Sequence, residues 1–362
     1  ERRSILEVSR DDNLLVALRD LRAGEQIEWG EEVVAIAEDI PAKHKVAACD
    51  LSVGDSAFMY GVLVGEATKP IARGRRITTD NLVHRSSDYG QSRSERSWTP
   101  PSVVQWEGHS FQGFHRKDGS VGTANHWLVV PMVFCENGNI ETLKNSMLDA
   151  LGFQRRNQYQ LFARELAEVY SDGLDPDSVS LQAEQDHSPS PIFPNVDGIK
   201  FISHGLGCGE TRGISEELCG LLAGYACNPN VGGITVLSLG CQHAQVSILE
   251  KEISKRIPGF DKPLFVFEQH KFDSEREMLE RAIRRTFKGL AEINLLQRSP
   301  APLSKLCLGM ECGASDGFSG ISANPTMGRV ADLLVALGGR IILSEFPELC
   351  GVEQELCNRC ES

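Results

Sequence analysis

Cysteine, histidine and acidic side chains recur in this chain directly after short apolar runs that predict β-strands. The predicted strands are 127–134, 199–203, 234–239, 264–267, 306–309 and 340–344. The residues that follow them are Cys135, His204, Cys208, Cys241, His243, Glu268, His270, Cys312, Asp316 and Glu345. Thiolate, imidazole and carboxylate groups together suit a soft or borderline divalent metal such as iron, manganese or zinc.

The elements between these strands predict how the polar residues are positioned. Helix-like segments such as "IETLKNSMLDAL" and "ISEELCGLLAGYA" separate the apolar runs. Alternation of this kind is typical of an α/β domain with a mostly parallel sheet covered on both faces. The carboxyl ends of parallel strands lie on one edge, where ligands bind. We therefore expect the polar residues to gather at that edge.

Glycines flank several of the candidate side chains and allow tight turns and close approach of the backbone to a ligand. They are Gly207, Gly209, Gly240 and Gly313. The cysteines in these turns are candidate metal ligands, although a cysteine beside a glycine can also be an ordinary small apolar residue. On this reasoning the candidate thiols are Cys208, Cys241 and Cys312, and His204 and Asp316 are candidate catalytic groups. Packing is the prediction for Cys135, Cys219, Cys227 and Cys307.

Bulk properties limit the function classes. The chain has 362 residues, which predicts two domains or more. A formal charge of −13 argues against nucleic acid as a partner but leaves room for a small anionic substrate. We expect no membrane partner, because no apolar run approaches the roughly 20 residues of a membrane span. The charged N-terminal stretch carries no secretory segment, so a cytoplasmic protein without disulfides is expected.

Composition along the chain predicts its domain organisation. Residues 1–85 read as short strands broken by glycine turns, which indicates a small β-rich domain. The phrases "DLRAGEQI", "DLSVGDSA" and "PIARGRRI" share one form and predict related turns. Residues 86–105 are rich in Ser, Arg and Pro and predict a linker. Residues 106–362 then form the α/β domain.

Several motifs together resemble the altronate and galactarate dehydratase family over essentially the whole chain. "IPAKHKVAACDLSVGDSAFMYGVLVGEATKPIARG" resembles the family's N-terminal SAF module, a small β-clip domain. "FQGFHRKDGSVGTANHWLVVPMVFCEN" resembles the opening of its main domain. "SHGLGCG", "NPNVGGITVLSLGC" and "ECGASDGFSGISANP" resemble three internal motifs, of which the last is long and specific. The resemblance implies a SAF β-clip domain followed by a mostly parallel α/β domain.

The resemblance also implies an activity and roles for residues. It implies removal of water from a hexonate, with altronate giving 2-keto-3-deoxygluconate, and with ferrous iron or manganese as activator. The SAF histidine maps to His44, so the predicted catalytic residues are His44, His204 and Asp316. The predicted metal ligands are Cys208, Cys241 and Cys312, and the predicted substrate contacts are Asn125, Ser315 and Asn324.

Departures from the family pattern leave the substrate open. Many relatives have Gly before the SAF histidine, where this chain has Lys43, and Ala124 stands where the family has Arg. Thr78 and Asp80 stand where several altronate-type members carry an HxHN-like sequence. Galactarate or another hexonate is therefore the alternative substrate. The family usually continues past residue 362, so we expect part of the C-terminal region to be missing from this sequence.

Two other readings use the same residues differently. Three thiolates can hold an iron–sulfur cluster with one open iron, although the close CxxC spacing common in such clusters is absent from Cys208, Cys241 and Cys312. The chain could instead be a sugar-acid binding protein without catalysis. For the assembly, a symmetric homodimer is the expectation.

Overall fold

The computed structural model describes residues 3–87, 90, 98–154, 158–181, 190–313, 317–349 and 351–360. By internal contacts the chain divides into two compact units. Unit 1 comprises Glu1–Gly108 together with Leu306–Ser362, and unit 2 comprises His109–Lys305. Sequence analysis predicts a different division, because it assigns everything from 106 to 362 to a single domain.

The N-terminal part of unit 1 is a β-rich module, as the sequence predicts. Its strands are β1 Ile5–Leu6, β2 Leu14–Ala17, β3 Gln26–Trp29, β4 Glu32–Ala35, β5 Lys45–Ala47, β6 Ser56–Met59, β7 Val62–Ala67, β8 Arg76–Ile77 and β9 Leu82–His84. They form an antiparallel sheet in the order β1-β2-β5-β8, a β3–β4 hairpin and a sheet in the order β6-β7-β9.

Strand β2 explains why this module holds together. All of its side chains are buried, and successive side chains point to opposite faces of a strand. Leu15 packs in one apolar cluster with Leu21 and Ile36. Leu14 packs in a second cluster with Met59. The strand therefore lies between two small apolar cores and contributes side chains to both.

Unit 2 contains the α/β fold. Its elements are β10 Ser110–His115, β11 Val121–Gly122, β12 His126–Pro131, α1 Asn137–Met147, α2 Gln158–Ser171, β13 Gly198–Phe201, α3 Arg212–Cys227, β14 Val231–Ser238, α4 Val246–Arg256, β15 Leu264–Glu268, α5 Glu275–Ile293 and β16 Ser299–Pro302. Strand β10 pairs antiparallel with β11 and β16. The other strands form a parallel sheet in the order β13-β12-β14-β15.

The parallel sheet is covered on both faces, which confirms the predicted α/β class. Trp127 and Val129 of β12 pack in a cluster with residues of α1 and α5. Leu128 and Val130 point the other way and pack with residues of α3 and α4. The central strand β14 is buried along its whole length, as expected for a strand with helices on both sides.

The C-terminal part of unit 1 holds a small parallel sheet, distinct from the parallel sheet of unit 2 among the described residues. Its elements are β17 Cys307–Met310, α6 Ala323–Ala336, β18 Arg340–Leu343 and α7 Glu353–Arg359. Strands β17 and β18 pair in parallel with each other only, within the described residues. Sequence analysis predicts both strands correctly but places them in the larger sheet. Their apolar character favours a covered parallel strand, and it does not specify which sheet the strand joins.

Candidate functional site

Loops that follow the parallel strands of unit 2 gather at the carboxyl edge of the sheet. Phe134 N, after β12, donates to Leu206 O, after β13, at 2.9 Å. Ala244 N, after β14, donates to Gly207 O at 3.2 Å. His270 N, after β15, donates to Leu239 O at 3.4 Å. These bonds bring together the loops that carry Cys135, His204, Cys208, Cys241, His243 and His270.

His204 joins two of these loops through both of its ring nitrogens. Nε2 donates to Pro131 O at 2.8 Å, and Nδ1 accepts from Leu206 N at 3.2 Å. The backbone carbonyl of His204 in turn accepts from Asn137 Nδ2 at 2.9 Å. The ring would have to break one of these bonds before it could accept a proton from a substrate. Its predicted catalytic role stays a prediction.

Glu210 organises the loop after β13. Its Oε1 accepts from Gly207 N and from Ser215 Oγ, each at 2.7 Å. The bond from Ser215 and further backbone N–H donors lower the pKa of this carboxyl group. Gly207 has φ +111°, and a β-carbon there would overlap Met132 O. The "GLGCG" turn therefore needs its glycine for close packing between loops, and Cys208 is carried beside that contact.

The cysteines of unit 2 fall into two groups. Cys208 is half-buried and Cys241 is exposed, whereas Cys219 is buried. Burial raises the pKa of the Cys219 thiol to about 11, which makes it an inert packing residue as predicted. Cys135 is exposed at the carboxyl edge, and Cys307 of unit 1 is exposed as well, so the prediction that these two act as buried packing residues is wrong. Cys135 belongs with Cys208 and Cys241 by position.

Sequence reasoning missed Glu136, which lies between β12 and α1, and Asn137, the first residue of α1. Glu136 is fully buried, and its Oε2 accepts from Asn139 Nδ2 at 2.8 Å. Glu136 Oε1 and Asn137 Oδ1 are buried without a partner among the described residues. Burial raises the pKa of the Glu136 carboxyl group, the bond from Asn139 opposes this rise, and nearby Glu275 adds to it. The sequence signal that could have indicated Glu136 is an acidic residue that follows a buried strand and directly precedes a helix.

Asn125 lies at the other end of β12, away from these loops. Its side chain is fully buried, and Nδ2 donates to Asn195 O at 2.9 Å and to Ile293 O at 3.0 Å. Its Oδ1 accepts from Arg116 Nη2 at 3.1 Å. The structure thus does not bring Asn125 to the edge where the other candidates of unit 2 gather, and its amide is occupied by structural bonds.

The remaining candidates lie in unit 1. His44 is exposed in a turn of the β-rich module, with Nδ1 3.4 Å from Ala42 O. Its neighbour Lys43 contacts Phe318, which follows the Cys312 loop, with Nζ 5.0 Å from the ring centroid. Cys312 is half-buried, and Asn324 is exposed at the start of α6. Ser315 and Asp316 lie outside the described residues.

The predicted divalent metal can be tested only against the ligands that the structure describes. Within that part of the chain, no group of three or more His, Cys, Asp or Glu side chains could hold a metal ion. Cys208 and Cys241 are sulfur donors of a kind that iron accepts. They do not form a complete ligand set, so iron or manganese stays a prediction.

A pocket of about 420 Å³ lies on another surface of unit 2. It is lined by β15 and by basic residues of α5, namely Arg281, Arg284, Arg285 and Lys288. None of the predicted site residues lines it. The pocket is therefore a feature distinct from the carboxyl-edge loops. Of the described helices, none is both long and apolar enough to cross a membrane.

Comparison with known families gives this architecture a class. Family models match along almost the whole chain: the altronate/galactarate dehydratase SAF domain at residues 3–85, the second domain of D-galactarate dehydratase/altronate hydrolase at 113–294, and the D-galactarate/altronate dehydratase C-terminal region at 303–362. The chain belongs to the altronate/galactarate dehydratase family, as its motifs predict.

Individual relatives agree with this assignment. The chain is 29% identical over 367 residues to the altronate dehydratase of Bacillus subtilis, covering 99% of this chain and 63% of that protein. It is 28% identical to the altronate dehydratase of Escherichia coli, covering 96% and 61%. It is also 28% identical to the galactarate dehydratase (L-threo-forming) of Escherichia coli, covering 95% and 59%. The chain thus spans less than two thirds of the length of these relatives.

Proposed function

We propose that the protein is a sugar-acid dehydratase that removes water from altronate to give 2-keto-3-deoxygluconate. Family membership supports the class of reaction. The structural observation that carries the proposal is in unit 1, where the turn with His44 packs against the segment that follows Cys312 and Asp316. Galactarate is the alternative substrate, because a galactarate dehydratase is as similar to the chain as an altronate dehydratase.

The reaction sets the chemical demands. The C2 proton leaves to a base, the C3 hydroxyl takes a proton from an acid and leaves as water, and the resulting enol tautomerises to the 2-keto-3-deoxy acid. The proton beside a carboxylate is weakly acidic, so the charge that develops there needs electrostatic stabilisation. The base must reach the proton at hydrogen-bond distance and must be able to accept it.

We assign the base to His44. Its Nδ1 lies 3.4 Å from a carbonyl oxygen, that of Ala42, so Nδ1 is the donor and Nε2 keeps its lone pair. The ring is exposed, so a substrate can reach it. His204 has both ring nitrogens engaged by backbone groups, so we assign it to holding the loops of unit 2. Asp316 stays the candidate acid.

Activation by ferrous iron or manganese is the part of the proposal that rests on the resemblance alone. Such an ion would supply positive charge to stabilise the enediolate that forms when the C2 proton leaves. The iron–sulfur alternative predicts a brown preparation under anaerobic conditions. Cytoplasmic location and a homodimer likewise stay predictions.

The test is an assay of protein purified without oxygen. Altronate, galactarate and a panel of other aldonates and aldarates are supplied with and without ferrous iron, and 2-keto-3-deoxy acid is measured. Turnover of altronate is the expected result. Turnover of galactarate alone would keep the reaction and change the substrate. Tight hexonate binding without turnover of any acid would replace the proposal with a binding protein.

His44→Gln tests the assignment of the base. We expect kcat to fall roughly 100- to 10,000-fold, the usual contribution of general acid–base catalysis, while the folded structure is retained. His109→Gln is the matched control, because His109 is also an exposed histidine. Equal activity of the two variants would remove His44 from the mechanism.

A further inference from the structure

The described part of the β-rich module contains four related turns, and one of them has a lysine where the other three have a glycine. In each turn, the backbone carbonyl of the first residue accepts a hydrogen bond from the backbone N–H of the fourth residue. The pairs are Arg22 with Glu25, Pro41 with His44, Ser52 with Asp55 and Ala72 with Arg75. The third residue is Gly24, Gly54 or Gly74 in three of them, with φ between +80° and +91°. In the turn before His44 the third residue is Lys43, with φ +75°. A turn of this type requires φ > 0 there and therefore favours glycine.

The surrounding backbone holds Lys43 in this conformation. Lys43 N donates to Ala17 O at 2.8 Å, and Ala17 N donates to His44 O at 2.9 Å. Ala42 N donates to Asp20 Oδ1 at 2.8 Å. A non-glycine residue with a left-handed backbone conformation is strained, and such strain persists where neighbouring hydrogen bonds enforce it. The lysine is thus retained at a cost that glycine would avoid.

The Lys43 side chain contacts the segment that follows the Cys312 loop. Its Nζ lies 5.0 Å from the centroid of the Phe318 ring, within the range of a cation–π interaction. A β-carbon on Gly317 would lie 2.7 Å from Lys43 Cβ. Gly317 therefore allows the lysine stem to pack directly on the backbone of this segment.

Tyr60 makes a similar contact with the same segment, at Gly320. Tyr60 and Gly61 connect β6 and β7, with φ +61° and +74°. A two-residue hairpin turn with both φ positive favours Asn-Gly, and tyrosine is unusual there. A β-carbon on Gly320 would lie 2.6 Å from Tyr60 Oη. Ile321 then packs on the apolar cluster that contains Leu14.

We propose that Lys43 and Tyr60 are positioning residues that fix the 317–321 segment on the β-rich module. Each places a side chain from a left-handed position against a glycine of the same segment. The anchored segment begins at Gly317, the first described residue after Cys312 and Gly313, so Lys43 and Tyr60 fix residues 317–321 next to the His44 turn. This inference rests on the proposed function, because it assigns Lys43 and Tyr60 to the dehydratase reaction.

The experiment compares three variants with the wild-type protein. Lys43→Gly and Tyr60→Asn each relieve the backbone and remove the contact, and Lys43→Arg keeps a cation over Phe318. Gly24→Lys is the matched control, since it places lysine in the same kind of turn where a β-carbon meets nothing within 4 Å. Turnover, thermal unfolding and hydrogen exchange of residues 311–321 are measured for each.

The expected result separates positioning from stability. Lys43→Gly and Tyr60→Asn should lower kcat roughly 10- to 100-fold, as misplacement of catalytic groups does, without lowering Tm. Lys43→Arg should keep the kcat of the wild-type protein. Gly24→Lys should lower Tm and leave kcat unchanged. A fall of Tm and kcat together in Lys43→Gly, or wild-type kcat in both Lys43→Gly and Tyr60→Asn, would overturn the inference.

Hydrogen exchange distinguishes failure of this inference from failure of the proposed function. If the wild-type protein dehydrates none of the acids, the proposed function fails. Faster exchange of the 317–321 amides in Lys43→Gly and Tyr60→Asn, but not in Gly24→Lys, would still show that the two side chains hold the segment. Unchanged exchange in both variants would reject the holding role.

Discussion

Asn125 and Glu136 lie at opposite edges of the parallel sheet in unit 2 and differ in how their buried polar atoms are paired. At the amino edge, the buried Asn125 amide makes hydrogen bonds through both its nitrogen and its oxygen. At the carboxyl edge, Glu136 Oε1 is buried without a partner among the described residues, and the Cys135 and Cys241 thiols are exposed. Because buried polar groups normally pair, we expect the fully bonded Asn125 amide to stabilise the fold and the unpaired Glu136 oxygen to cost stability.

The largest expected effect tests the amino edge. Asn125→Ala should lower the free energy of unfolding by about 3 kcal/mol or more, because Arg116 and two carbonyl groups lose buried partners. Chemical denaturation measures this change. Asn324→Ala is the control, since this asparagine is exposed and should change stability by less than about 0.5 kcal/mol.

That comparison also decides between two roles for Asn125. The predicted role in substrate binding requires Asn125→Ala to raise KM while stability is maintained. Loss of stability with an unchanged KM in the folded fraction would assign the residue to structure. An unfolding free energy equal to that of the wild-type protein would break the distinction between the two edges.

A smaller effect separates the carboxyl-edge thiols from a core thiol. Cys219→Ser should cost about 1–3 kcal/mol, because it buries a hydroxyl group in an apolar cluster. Cys241→Ser should cost less than about 0.5 kcal/mol, because Cys241 is exposed. Denaturation measures both. Alkylation of the native protein followed by mass spectrometry should label Cys241 and spare Cys219, and the reverse pattern would contradict the structure.

The smallest expected effect concerns Glu136 and depends on pH. Burial raises the pKa of its carboxyl group in the folded state above the ordinary value of 4.5. A group with a raised folded pKa contributes stability below its unfolded pKa and loses that contribution as pH rises through the folded pKa. Glu136→Gln cannot ionise, so its Tm relative to the wild-type protein should increase from pH 4 to pH 8.

Two measurements make the Glu136 prediction specific. Glu275→Gln removes the neighbouring charge that also raises the pKa of Glu136, so it should shift Tm in the same sense but by less. A Tm difference between Glu136→Gln and wild type that stays constant with pH would show that Glu136 keeps an ordinary pKa.

Local sequence pattern predicts much of this fold. The strands predicted at 234–239 and 264–267 correspond to Val231–Ser238 and Leu264–Glu268 in the structure. Apolar runs between amphipathic helices carry that information locally. The three turns at Gly24, Gly54 and Gly74 are likewise found, because glycine marks left-handed positions.

Other features depend on information that the local pattern does not contain. The partner of β17 is β18 alone among the described strands, and an apolar strand looks the same in either sheet. Lys43 occupies a left-handed position that its residue type does not indicate. The environment of Glu136 is set by Asn139 of α1 and by Glu275 of α5, which is distant in sequence. Such tertiary contacts decide which candidate side chains are exposed, which are hydrogen-bonded, and which are buried without a hydrogen-bond partner.

The buried indole of Trp127 provides an optical consequence. It is the single tryptophan of the sequence between His109 and Lys305, since the other three lie at positions 29, 98 and 106. Trp127 is fully buried and donates to Thr235 Oγ1 at 3.0 Å. Replacing the other three by phenylalanine would leave one fluorophore whose emission shifts to longer wavelength when the parallel sheet unfolds. The unfolding of unit 2 could then be followed separately from that of unit 1.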